Sequence, residues 1–294
     1  MDRVEAMKSS TGQRPAPARI GMVSFLNTAP VCQTWKQTVR EPAWRVTEAP
    51  PTLLNRLLHR GELDLALVSS HEYALHPESY RIMAGLAIAA TGAVGSVFLF
   101  SRYPLAELGD RLVLLSSRSQ TSASLTKIII EDFEQVYPRY EIGEEQRGDW
   151  AAVLAIGDEA LRWAAAGEYP YQFDLAEIWH QQTGLPFVFA LWAVREDFYL
   201  AWPETLASIH RELKRCLREG LADLEGICRV AAPRIPMSEE ACRRYLAGMQ
   251  YDLDLRQQAG LIRFFELLIK RGEVPAAALP LKIINDKDPA SDLT

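Results

Sequence analysis

The run Thr183-Gly184-Leu185-Pro186-Phe187-Val188-Phe189-Ala190-Leu191-Trp192 constrains this chain more than any other stretch. It is apolar, opens on a Thr-Gly turn, is too short to span a bilayer and is too rich in Phe, Val and Trp for a loop, so it predicts one buried strand. A similar run, Val94 to Phe100, lies far earlier in the chain and is entered through Gly92 and Gly95. Two buried strands so widely separated, each opened by a flexible turn, predict the two crossings between the lobes of a hinged protein. The expected fold class is α/β, two-lobed around a central cleft, and the cleft is where function is sought. The crossings divide the chain into a discontinuous first lobe (19–96 and 190–285), a continuous second lobe (97–189) and a disordered tail (1–18).

From Arg19 onward, strand, turn and helix alternate. Ile20 to Leu26 reads as a buried strand ending at Asn27-Thr28-Ala29-Pro30, where Asn or Thr caps a helix and Pro suits its first turn. Pro51 to Gly61 is amphipathic, with Leu53, Leu54, Leu57 and Leu58 on one face and Gly61 as its stop. The strand Leu63 to Val68 follows, ending in Ser69-Ser70-His71-Glu72-Tyr73. Further on, Arg111 to Leu115 predicts a strand, Ser116 to Ser122 a polar turn, Ala123 to Val136 a helix, and Val153 to Ile156 a strand closing on Gly157-Asp158. Trp202 to Leu224 and Ser238 to Lys270, the latter broken near Asp252 to Asp254, read as helices that return to the first lobe. Strand, crossover helix and strand make parallel sheets, whose strand ends are the usual place for a ligand.

Several polar turns stand at those ends, each with two readings. Ser119-Gln120-Thr121-Ser122 begins a helix, where free backbone N–H groups and the positive dipole end suit a carboxylate or phosphate, and where plain N-capping is equally at home. Ser69-Ser70 and Asn27-Thr28 carry the same pair of readings. Asp158 is either an acceptor or base toward a ligand or the cap of a helix starting at Glu159. His71 and Glu72 are either a proton-transfer pair or the solvated first turn of a short helix. His59, His76, His180 and His210 have no partner spacing and read as surface residues.

The remaining features mostly exclude. Cys32, Cys216, Cys228 and Cys242 form no C-x-x-C pair and have no His at ligand spacing, so they read as reduced structural thiols and no metal is expected. No P-loop, G-x-G-x-x-G, G-x-S-x-G or H-E-x-x-H occurs, so the expected chemistry needs no cofactor. A net charge of −6 and a pI near 5.5 lack the basic footprint of a nucleic-acid partner. Residues 1–18 mix charges, Ser, Gly and Pro without an apolar core, which predicts a cytoplasmic protein with no membrane partner.

An ordered series of motifs resembles a known family. Ser24-Phe25-Leu26-Asn27-Thr28 with Pro30, then Gly61 to Tyr73 (GELDLALVSSHEY), resemble the first lobe of the chorismate dehydratases of the futalosine route to menaquinone, the MqnA family. Gly92 to Val97 (GAVGSV), Ser119 to Ser122, Ile156-Gly157-Asp158, and Asp174-Leu175 followed by Trp179 and Thr183 to Ala190 match the rest in order, so the resemblance spans about residues 19–270. Phe25, Ser69 and Ala151 depart from the family's usual Tyr, Pro and acidic residue. A sister branch, the cyclic dehypoxanthinyl futalosine enzymes, shares the architecture, but the Ser24–Thr28 and Thr183–Phe187 motifs resemble the dehydratase branch more closely.

The resemblance implies a periplasmic-binding-protein type II fold used as a cofactor-free enzyme that removes water from chorismate to give 3-[(1-carboxyvinyl)oxy]benzoate. It implies that Asn27 orients the substrate and its leaving hydroxyl, and that Ser70, Ser96, Thr121 and Ser122 hold the carboxylates. Thr28, Asp158, Thr183 and Gly184 then complete the closed cleft. Two binding-only alternatives share the fold: a solute-binding protein, expected to carry a secretion signal, and a regulator's effector domain, expected to carry a helix-turn-helix.

Overall fold

The computed structural model describes residues 16–143, 148–235 and 237–284. The chain begins with β1 (Ala18–Val23), α1 (Ala29–Thr38), β2 (Trp44–Ala49), α2 (Pro51–His59), β3 (Leu65–Ser69), α3 (Ser70–Leu75) and β4 (Tyr80–Ala90). It continues through β5 (Val97–Ser101), β6 (Leu112–Ser116), α4 (Gln120–Lys127) with a π-helical turn at Ile128–Phe133, β7 (Arg139–Gly143), β8 (Ala152–Ile156), α5 (Gly157–Ala166), β9 (Tyr171–Asp174) and α6 (Leu175–Thr183). It then returns as β10 (Phe187–Arg195), α7 (Glu196–Ala201), α8 (Pro203–Ala222), α9 (Leu224–Ala231), α10 (Glu239–Gly248), α11 (Leu255–Lys270) and β11 (Ile283–Ile284).

These strands form two sheets, ordered β11-β4-β10-β3-β1-β2 and β7-β6-β8-β5-β9. β1 lies parallel to β2 and β3, and β6 parallel to β7 and β8. Burial follows position: β3 and β8 are buried along their whole length, while the edge strand β7 is exposed or half-buried throughout. Strands covered on both faces need continuous apolar sequence, and edges do not. α8 packs on α1 and α11 on β10, so the C-terminal helices do return to the first sheet.

Both diagnostic apolar runs form strands, but each strand stays within one sheet: β5 pairs with β8 and β9, and β10 with β3 and β4. The passages between sheets are the turns that precede them, residues 91–96 and 184–186. Gly92, Gly95 and Gly184 hold φ of +78°, +72° and +71°, a region L side chains avoid, which explains the glycines there. Asp174 pins the first passage, accepting from the Gly95 amide at 2.7 Å with one oxygen while the other caps α6.

Several local expectations need correction. β1 ends at Val23, and Leu26–Thr28 is a 3-10 turn backed by a small core of Ile227, Cys228, Ala231, Cys242 and Leu246. α4 starts at Gln120 rather than Ala123, because the Ser119 hydroxyl accepts from the Ser122 amide and so caps it. α5 starts at Gly157 with no side-chain cap, so Asp158 is not its cap. His71 and Glu72 are buried rather than solvated, because α3 packs between β10 and α4. His210 is also buried, on the inner face of α8, with Nε2 2.7 Å from the Ala84 carbonyl. Of the expected tail, residues 1–15 lie outside the described residues, whereas Ala16 is buried with its amide donating to Thr205, and Ala18 opens β1. The four cysteines are buried and free. Among the described residues no helix is long and apolar enough to cross a membrane.

Candidate functional site

The parallel strands β1 and β3 of one sheet and β6 and β8 of the other deliver their following turns to a common cleft. Val23, Phe25, Asn27, Thr28, Ser69, Ser96, Ser119, Ser122 and Gly157 line it, closed off by Val68, Ile88, Val94, Val97, Ile156 and Phe189. The cavity itself holds about 70 Å³, and about 600 Å³ when the open mouth is counted. A larger concavity of about 1230 Å³ runs along α8, but it is lined by that helix with Met83 and Ile284 and draws no residue from the second sheet. The cleft is therefore the candidate active site.

Four of the expected site residues meet there. Asn27 lines the cavity, and its Oδ1 is buried without a hydrogen-bond partner. Buried carboxamide oxygens are normally satisfied, so this one is free to accept a hydrogen bond from whatever occupies the cavity. Thr28 lines the wall, its hydroxyl directed to the Val23 and Phe25 carbonyls at 2.6 and 2.8 Å. The Ser96 hydroxyl accepts from Tyr245 at 2.8 Å, and the Ser122 hydroxyl accepts from Ser119 at 2.9 Å, so both are pre-oriented toward the cavity they line.

The other five lie outside the lining and hold the walls in place. Ser70 donates to the Val188 carbonyl at 2.7 Å, stapling α3 to β10. Thr121 accepts from the His71 amide at 2.9 Å and Asp158 from the Leu26 amide at 3.0 Å, and each of these bonds joins the two lobes. Thr183 donates to the Trp179 carbonyl and accepts from the Leu185 amide, while Gly184 is the left-handed end of α6. Burial raises the Asp158 carboxyl above its usual range, with the Leu26 amide and Arg234 opposing. An interlobe ion network reinforces closure: Arg271 pairs with Glu131, Asp132 and Glu273, and Ser124 donates to Glu273.

Sequence reasoning left Ser69, Ser119, Phe25 and Tyr245 out of the site set. Ser69 and Ser119 sit in the same polar turns as the chosen residues, so the turns carried the signal and the individual positions did not. Tyr245, on α10, has no local signal; only its bond to Ser96 brings it in. Ser69 accepts from Asn55 and from the Glu72 amide, a capping role open to Ser. No Asp, Glu, His, Lys or Arg lines the cavity among the described residues. What remains for an anionic ligand is hydroxyls, the Asn27 amide and the starts of α4 and α5, whose N–H groups and dipoles favour negative charge.

Closure brings the Phe25 ring directly over Gly157. A Cβ at Gly157 would stand 3.2–3.3 Å from three ring atoms, and the residue holds φ +59°. Gly157→Ala is expected to lose about 1–3 kcal/mol of stability through a left-handed backbone and an overfilled contact. Thermal melts check this, and adding Phe25→Ala should recover part of the loss but not all; complete recovery would mean that the backbone conformation costs nothing.

Comparison with known proteins agrees with this architecture. Solved structures similar to the chain include a protein of Archaeoglobus fulgidus (TM-score 0.70, 18% identity, 88% of this chain and 98% of that one). The alkanesulfonate-binding protein of Xanthomonas axonopodis pv. citri is similar at TM-score 0.61 and 15% identity, covering 90% and 96%. These likenesses establish the two-lobed periplasmic-binding-protein fold. In sequence, the chain is 34% identical over 270 residues to a chorismate dehydratase of Thermus thermophilus, covering 86% of this chain and 95% of that protein. A family model described as menaquinone biosynthesis matches residues 18–270. With the fold, the cleft and a match over 86% of its length, the chain belongs to the menaquinone biosynthesis family.

Proposed function

We propose that this chain is a chorismate dehydratase, a hydro-lyase that eliminates water from chorismate to give 3-[(1-carboxyvinyl)oxy]benzoate on the futalosine route to menaquinone. The carrying observation is the likeness to the Thermus thermophilus chorismate dehydratase along 95% of that protein. The cleft suits the reaction. Chorismate loses a proton from the ring carbon bearing the enolpyruvyl ether and a hydroxyl from its neighbour; the C–H electron pair becomes the new ring double bond, and aromatisation drives the step. The ring carboxylate, conjugated through a double bond to the first carbon, acidifies that proton, so a strong protein base is not required.

A cavity lined by hydroxyls and an amide, with no titratable side chain among the described lining residues, fits positioning rather than base catalysis. The substrate's enolpyruvyl carboxylate takes the proton, and holding it against the ring is a proximity effect that reaches about 7–11 kcal/mol in well-oriented systems. Asn27, with its unpartnered oxygen, orients the leaving hydroxyl. Ser96, Ser119 and Ser122, with the starts of α4 and α5, receive the carboxylates. Four buried free thiols suit a reducing compartment, so we place the enzyme in the cytoplasm.

The test is incubation of the purified chain with chorismate and mass analysis of the product. A product lighter by one water is expected. Unchanged chorismate recovered from a protein shown to bind it would favour a solute-binding role. Turnover of cyclic dehypoxanthinyl futalosine instead would assign the chain to the sister branch.

A further inference from the structure

The first lobe carries a second group of chemistry-bearing side chains that the cleft does not use. His59 ends α2, Glu72 lies on α3, and His76 follows one turn later as the residue that closes it. One ligand atom from each lies within 4.8 Å of the others. The His59 and His76 rings stack with centroids 3.9 Å apart, and His76 Nε2 is 3.8 Å from Glu72 Oε1. None of the three lines the cavity. α2 enters the cavity wall at Pro51 and α3 at its cap Ser69, so the two imidazoles stand at the far ends of these helices, about 12 Å along α2 from the cavity wall.

The donors suit a divalent transition ion. Two imidazoles and a carboxylate, with a fourth position left to water, are a familiar zinc set, and residues four apart on a helix project to one side. Glu72 is 5% exposed, and its Oε1 accepts from the Tyr80 hydroxyl at 3.0 Å, an outer contact that fixes a ligating carboxylate in place. His59 is exposed and provides the route of entry. Bond lengths of about 2.0–2.2 Å place tetrahedral ligand atoms roughly 3.3 Å apart, so the widest pair closes by no more than roughly 1.5 Å, within reach of side-chain rotation at His59.

We propose that His59, Glu72 and His76 form a Zn²⁺ site with one open coordination position, which ties the end of α2 to α3 outside the cleft lining. The experiment titrates the metal-stripped full chain with Zn²⁺ by calorimetry and with Co²⁺ by visible absorption. One ion per chain and the d–d bands of low-coordinate Co²⁺ are expected. His59→Ala and Glu72→Gln should each weaken Zn²⁺ binding by about 100-fold and abolish the Co²⁺ bands, while conversion of chorismate is unchanged. His59 is exposed and Glu72→Gln preserves shape, so both variants should remain folded, as thermal melts verify. No stoichiometric binding by the wild-type chain, or binding that survives both substitutions and so resides on other groups such as the cysteines, overturns the site.

Discussion

Asn27→Ala is expected to slow single-turnover conversion of bound chorismate by about 10²–10³-fold while changing chorismate affinity only a few-fold, the signature of an interaction that matters chiefly in the transition state. The Asn27 oxygen is buried and unpartnered on the cavity wall. A carboxamide has no useful proton-accepting pKa, so such a loss would be one of orientation or of stabilisation of the departing hydroxyl. His71→Ala is the counterpart. His71 is buried and outside the cavity lining, and its bond to Thr121 comes from the backbone amide, which alanine keeps, so the substitution should leave most of the turnover of whatever protein folds. A nearly silent Asn27→Ala beside a folded but inactive His71→Ala would replace the positioning mechanism with conventional general-base catalysis.

Gly220→Ala is expected to produce a large loss of stability. A Cβ on this residue of α8 would stand 2.2 Å from the carbonyl oxygen of Pro30 and 2.7–2.8 Å from its C and Cα atoms. The obstacle is backbone, so no side-chain rotation relieves it, and the two helices must separate. Overpacking of this kind costs about 1–3 kcal/mol and more where the backbone cannot yield, which is about 2–5 °C or more in melting temperature for a chain of this size. Pro30 lies in the first turn of α1, just after Asn27 and Thr28, so turnover should fall as well. Gly248→Ala is the control: it ends α10 with no atom within 4 Å of the added carbon, and should melt at or slightly above the wild-type temperature. Equal melting temperatures for the two variants would refute the close-contact argument.

The outline of the fold was legible wherever information is local. Continuous apolar runs marked β3, β5, β8 and β10, and glycines marked the turns before β5 and β10, although the crossings were expected in the strands themselves. The hydroxyl turn at Ser119 marked a helix start, but three residues before the expected Ala123. Each rests on a neighbourhood of a few residues: side-chain period, positive φ, or a cap reaching three residues along the chain. The motif series added the family, because its turns follow one another in a fixed order. Where the local reading erred, burial was the missing information. His71, Glu72 and His210 look like surface residues by composition, yet packing against β10, α4 and the first sheet encloses them.

What the sequence by itself determined was that polar turns would gather at strand ends around a cleft. Which side chain in each turn faces the cavity was decided only by the tertiary structure. Ser70, Thr121 and Asp158 were as eligible as Ser96 or Ser122, but the backbones of Val188, His71 and Leu26, 118, 50 and 132 residues away, hold them in the walls outside the cavity lining. Asn27 remains available because no such group reaches its oxygen. The meeting of His59, Glu72 and His76 has the same origin, since it depends on where the ends of two helices come to rest. A hydroxyl or an imidazole bonds to whatever the fold places within about 3 Å, and that distance is a property of the packed chain rather than of residue spacing.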